Sequence, residues 1–395
     1  MANNLKVWLY SSDPSVYQDV TSYVISLSSS RGKTRELDYY EPGTISISFN
    51  NQDRAFDPTN TSSPLYGFVK PKQRVYVSQD ALAIFSGLVD DWSFVYDVSG
   101  EAIATLAATE TTSLFANQYL SARTFPSELS GARINRILDD PLVQWPTTWG
   151  SRLIDSGTQI LDADTISDGT NVGEYLQKVQ FSEQGNLFFD ATSSLKFDDN
   201  ADVLTSSLTI PLFTDDSSTY VSSGSAVAGF KYEFIDVSYT TQLLYNRILL
   251  TSWNGFTSTA TSDSSINSYG LYQFDYDGVL YSNAMRLANL ATFVGSKYSE
   301  PEYRIDSVRI NFFALSSDEQ YRFIDDVRLN RFGRVRFKPN NTGSTIERYV
   351  RIIGINREAT SGSSYVTLLF ESIKSPILVL DDTAFGILDT NVLAL

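Results

Sequence analysis

From Gly43 to Asn50 the sequence alternates: Ile45, Ile47 and Phe49 interleave with Thr44, Ser46 and Ser48. A period of two describes a strand with one buried and one wet face. Such a strand needs neighbours to pair with and a core to cover. Asn50-Asn51 supply short polar side chains that suit turning backbone. Phe56 then returns to the apolar side, and Asp57-Pro58 closes the unit, because proline cannot continue a paired strand. The stretch FSGLVDDW, from Phe85 to Trp92, repeats the idea with a strand, a glycine and an acidic pair against a tryptophan.

The same pattern fills both ends of the chain. Strands are predicted over 5–10, 22–28, 44–50, 74–78, 84–92 and 102–109, and again over 307–313, 333–338, 349–357 and 365–372. Many short strands without a long helix predict a sandwich or barrel. The middle changes character. Ser130 is placed to cap a helix carrying Ile134, Ile137 and Leu138. Asn171, with Glu174 three positions later, opens a second helix whose apolar face is Val172, Tyr175, Leu176 and Val179. Gly185 ends it, and a hairpin over 186–197 follows. Residues 245–252 read as a buried strand, 254–270 as a polar loop, and Leu287, Leu290, Ala291, Val294 and Tyr298 as one helix face. Ser317 and Gln320 cap a short helix with Tyr321, Ile324 and Val327. Boundaries within 201–245 do not emerge from the pattern. The expected fold class is mainly β with α+β, a β-rich block at each end of a small α+β domain.

Composition narrows the chemistry. The 395 residues include no cysteine and no histidine. This removes disulfides, thiolate nucleophiles, histidine triads and zinc sites built on His or Cys. The net charge of −16 argues against broad binding to nucleic acid, where affinity rests on Lys and Arg displacing counterions. No apolar run is long enough to span a membrane, and the first residues lack a basic-then-apolar signal, so assembly in a cytoplasm is expected.

Carboxylates remain. Asp162, Asp164 and Asp168-Gly169 depart from the spacing of a calcium loop and read as a polar turn ahead of a helix. Asp198, Asp199 and Asp202 read as a solvated hairpin exit. Asp90 and Asp91 beside Trp92 could serve a glycosidase, but adjacent strand residues point to opposite faces. No glycine pattern for phosphate binding is present, and no cofactor or metal is expected.

Positive charge concentrates late. Between Tyr321 and Arg357 stand nine basic residues against three acidic ones. In RVRFK, Arg334, Arg336 and Lys338 share one face while Val335 and Phe337 share the other. That face is either an ordinary wet one or, with Arg351, a contact with acidic surface on a neighbouring subunit; nucleic acid is the weaker alternative. The tail from Pro376 is unusually apolar, with Ile377, Leu378, Phe385 and Leu388 as candidate docking side chains. Twenty residues cannot form a core, and this much apolar surface in water invites aggregation. The economical reading is a segment laid across its own fold or a neighbour's.

The order of several segments carries a resemblance. Arg31-Gly32, Gly43 opening a strand, NNQDRAFDP, LYGFVKPKQRVYV and FSGLVDDW come first. SGARINRILD, NVGEYLQKVQFSEQGNLFFDATSSLKFDD, YNRILLT, DSSINSYG and DDTAFGILDTNVLAL follow. Together they resemble the tail-tip (baseplate) hub or "minor tail" proteins of long-tailed bacteriophages. The resemblance implies an N-terminal β-barrel hub domain over 1–115, an α+β domain over 116–245, a second β-barrel hub domain over 246–375 and a docking tail over 376–395, with domains that can interleave. It implies a homotrimer forming a pseudo-six-fold ring in the virion. The implied partners are a distal tail protein, a tape-measure protein and a central fibre or receptor-binding protein, and no catalysis is implied. The competing reading is a carbohydrate-binding or carbohydrate-active β-protein acting on host surface glycans.

Overall fold

A computed structural model describes residues 4–110, 115–143, 151–200 and 209–373. The alternating stretch is the strand Glu41–Asn50, with Gly43, Ile45, Ile47 and Phe49 buried. It lies between Val24–Gly32 and Ala102–Thr109, antiparallel to both. The turn that ends it is held from inside: Asn51 is fully buried and its side chain accepts a hydrogen bond from the Phe56 amide at 2.9 Å. That bond folds Phe56 back onto Phe49, ring centroids 4.5 Å apart, with Trp92 packed against both.

Both ends of the chain belong to one fourteen-stranded sheet. The junction is Val24–Gly32 against Ile346–Thr360, with Arg31 opposite Ile355 and Gly32 opposite Gly354. Gly32 has φ +107°, and a Cβ there would run into the Ile353 carbonyl. Only glycine meets both demands cheaply. Among the described residues the pairings branch at Ile346–Thr360, run to free edges at Tyr17–Asp19, Phe230–Lys231 and Phe234–Thr240, and do not close a barrel.

Two hydrophobic cores result. The first gathers strand residues from Leu5 to Ala108, Phe188, Leu212 to Phe230, and Ile305 to Phe370. The second gathers Phe115 to Val143, Leu161 to Phe197 apart from Phe188, and Ile248 to Tyr298. The long helix Ala284–Tyr298 buries Leu287, Leu290, Ala291, Val294 and Tyr298, the face its spacing predicts. Its N-cap is Asn283, whose side chain accepts from the amides of Met285 and Arg286.

Several expectations shift. The first helix, Ser130–Leu138, has Leu129 at its N-cap without a side-chain bond; Ser130 is buried and donates instead to Glu183 at 2.8 Å. The second, Val172–Glu183, is capped by Asn171 as expected but ends at Gln184, which takes the left-handed conformation ahead of Gly185. The third cap is one residue early: Ser316 and Glu319 form a capping box for Ser317–Asp326, and Tyr321 is exposed. The polar stretch 254–270 is ordered, as the strand Thr257–Thr261 and the helix Asp263–Tyr269. Serine and threonine there satisfy backbone pairing on an exposed strand, which hydrophobic periodicity cannot register.

Candidate functional site

The basic strand is Phe332–Phe337, with Gly333, Val335 and Phe337 buried and Arg334 and Arg336 half-buried. Lys338 follows it and is exposed. The strand is interior to the sheet, antiparallel to Ile346–Thr360 and parallel to Leu212–Thr214. Register sets Arg336 opposite Glu347 on one side and Thr214 on the other. The charges find acids within the chain. Glu347 takes Arg334 at 3.2 Å and Arg336 at 3.0 Å, and Asp216 takes Arg336 at 3.3 Å. The Lys338 amide donates to Asp215 at 2.9 Å. Hydrogen bonds from Ser218 and Thr214, then the Arg336 charge, hold the Asp216 carboxyl well below the usual range. The face is therefore mixed in charge. Asp215 and Asp216 went unseen as partners because they fall in the stretch without readable boundaries.

Arg351, the fourth candidate, stands apart from this face. It faces a buried charge cluster around Glu371, at 3.9 Å from that carboxylate. Glu371 also meets Lys297 at 2.8 Å and Lys33 at 3.6 Å. Lys297 reaches Glu36 at 3.1 Å, and the Tyr298 hydroxyl donates to Glu36 at 3.0 Å. Lys33 donates to the Glu36 carbonyl at 2.7 Å. The cluster lines a cavity of about 90 Å³. Burial works against the Glu371 carboxylate, but Lys297, Arg351 and Lys33 outweigh it and its pKa is depressed. Burial dominates at Lys33, whose pKa is lowered. Glu371 follows Phe370 in the last strand and reads as a wet position, yet it is buried. Its partners lie far off in sequence, so no local signal announces them. Ile377, Leu378, Phe385 and Leu388 lie outside the described residues.

The other carboxylates are structural. Asp164 is buried, accepts from the Tyr175 hydroxyl and meets Arg133 at 2.7 Å. Arg133 is fully buried and also binds Glu128 and the Pro126 and Asp162 carbonyls. Asp162 accepts from the Ser282 amide at 2.6 Å. Asp198 is buried and accepts from Asn330 at 2.8 Å, so it is no solvated hairpin exit; Asp202 lies outside the described residues. At Asp90 and Asp91 the register shifts, and both side chains are exposed. The bulge defeats simple alternation, but Asp90 is engaged by Lys72 at 2.7 Å. Among the described residues no group of three or more Asp or Glu could hold a metal ion, and no helix is long and apolar enough to cross a membrane.

No family model and no curated protein matches the sequence. Solved structures do. The 43 kDa tail protein of prophage MuSo2 from Shewanella oneidensis superposes with a TM-score of 0.60 at 10% identity, over 94% of this chain and 97% of that one. This is a bacteriophage tail-protein fold. The tail protein from Neisseria meningitidis MC58 gives a TM-score of 0.61 at 10% identity, over 93% of this chain and 96% of its own. An Escherichia coli component of the type VI secretion system, itself similar to the T4 tail proteins gp27 and gp5, gives 0.51 at 10% identity, over 89% and 74%. The hub resemblance read from segment order thus holds at the level of fold, and the tail-protein fold here is mainly β with α+β.

Proposed function

We propose that this chain is a structural tail-tip protein, a hub that assembles as a homotrimer in the virion. The observation that carries the reading is the tail-protein fold, shared over nearly the full length of both chains. Three copies would form a pseudo-six-fold ring around the DNA channel. The ring would join a distal tail protein above to a central fibre or receptor-binding protein below, with the tape-measure protein reaching its lumen. Such a ring is a closed assembly of fixed copy number. The chain would act by holding these parts in register during host entry, without catalysis.

We divide it as 1–115, 116–245, 246–375 and a docking tail over 376–395, with the blocks interleaved. The composition of the two cores supports interleaving, since Ile248 to Tyr298 packs with Phe115 to Phe197 while Ile305 to Phe370 packs with the N-terminal strands. Subunit contact falls to Arg334, Arg336 and Lys338, and to the apolar tail with Ile377, Leu378, Phe385 and Leu388; Arg351, turned towards the buried Glu371 cluster, is left out of it.

The test is copy number. Light scattering on the purified chain and averaging of intact tails should both give three copies. A single copy at every concentration, together with tails lacking three-fold density at the tip, would overturn the proposal. Deleting 377–395 should leave a folded protein that fails to incorporate into tails; if the deletion unfolds the subunit, the segment packs on its own chain.

A further inference from the structure

The strand Ile346–Thr360 places a charged residue where its pattern calls for an apolar one. Arg357 follows Ile355 and precedes Ala359 on the inward face, and only 9% of it is exposed. Register sets it opposite Ser29, diagonal to Arg31 on the inward face of Val24–Gly32. The two arginines differ in their partners. Arg31 is neutralised by Glu110 at 2.6 Å and donates to the Phe189 carbonyl at 2.9 Å. Arg357 makes no side-chain hydrogen bond or ion pair among the described residues; its one contact of note is with the Phe323 ring, 5.9 Å from the centroid. Burial and then repulsion from Arg31 push its pKa down to about 10, so it remains charged at neutral pH. A guanidinium withdrawn from water without a counter-charge is among the costliest groups to bury.

Arg357 lines a cavity of about 190 Å³ with Arg31, Lys196, Arg328, Arg331 and Phe188. Lys196 is half-buried and, like Arg357, has no acidic partner among the described residues. Asp190 is the acid in the lining, and its Oδ1 is taken by the Thr192 amide and hydroxyl and the Ser194 amide. At the exposed rim stand Thr192 and Arg328, the latter paired with Asp325 at 2.5 Å. A chain of net charge −16 has gathered five cations around one recess.

We propose that this cavity is an oxyanion-binding site, taking a phosphate or carboxylate group against Arg357 and Lys196. The planar guanidinium fork fits either group through paired N–H donors, and a lysine adds a point charge. The apolar wall from Phe188, Ile324 and Leu329 lowers the local dielectric and strengthens the attraction.

The test uses the full chain in sodium chloride, replaced at constant ionic strength by sodium phosphate or by sodium glutarate. At least one probe should raise the melting temperature saturably, by on the order of 1–3 °C. A response to phosphate alone identifies a phosphoryl ligand and a response to glutarate alone a carboxylate; either supports the site. Arg357→Met should abolish the response and, without added anion, melt no lower than wild type, since it removes the uncompensated charge. Lys196→Met should raise the midpoint concentration about tenfold, and carries the test if Arg357→Met does not fold. No saturable shift with either probe, or a shift that survives in Arg357→Met, would overturn the proposal.

Discussion

Two residues show how charge is spent inside this fold. Glu371 pairs with Lys33, Lys297 and Arg351 at once. Glu371→Gln should destabilise the protein by about 3–5 kcal/mol at pH 7, because it leaves buried cations uncompensated; chemical denaturation measures this. The pH dependence has a definite sign. A carboxyl depressed in the folded state stabilises above its unfolded pKa of 4.5 and loses that contribution as pH falls below it. Wild type should therefore lose stability more steeply than Glu371→Gln on going from pH 5 to pH 2. Gly43 is the second case. A Cβ there would strike the Glu110 carboxylate, which accepts the Gly43 amide at 2.9 Å while holding Arg31. Gly43→Ala should cost about 1–3 kcal/mol through that displacement. The sequence marks Gly43 as the start of a strand, but the reason for a glycine there lies in a carboxylate more than sixty residues away and has no local signature.

Elements with one wet and one dry face were legible in outline. The strands Leu5–Tyr10 and Ala102–Thr109 and the buried face of Ala284–Tyr298 follow from periodicity alone, since burial on one side is what the period encodes. The cap at Asn171 was legible because its side chain does the capping. Ser316 was read one residue late, and Asn283 was not read as a cap although its side chain serves as one. Ser130 failed because its hydroxyl is committed to Glu183. Asn283→Ala should cost about 1 kcal/mol, read from a thermal melt. The basic strand was placed correctly, but its acids were not. Because Glu347 and Asp216 already hold Arg334 and Arg336, charge reversal would set like charges together within the subunit. Neutral Arg334→Gln with Arg336→Gln separates the roles better: the subunit should stay folded, with losses near 0–1 kcal/mol per half-buried pair, and tail assembly should fall. If assembly is unchanged, the face serves its own subunit alone.

At the scale of the molecule, the acidic balance predicts behaviour towards nucleic acid. A net charge of −16 leaves the chain too few cations to displace counterions along a duplex, so the isolated chain should leave duplex DNA unshifted in a gel at physiological salt. The wholesale arrangement was beyond periodicity, because each strand's pattern says which side is dry and never which strand lies next to it. The junction of Val24–Gly32 with Ile346–Thr360 has a consequence for biosynthesis. The ribosome delivers the first of these strands long before the second. Until then the early strand offers an open edge, ready to pair with another nascent chain on the same messenger. Long-range pairing of this kind also closes slowly. Stalled nascent chains should stay protease-sensitive through residue 300 and become resistant only once Ile346–Thr360 has left the exit tunnel, and a host holdase that shields the waiting edge should raise the yield of folded protein.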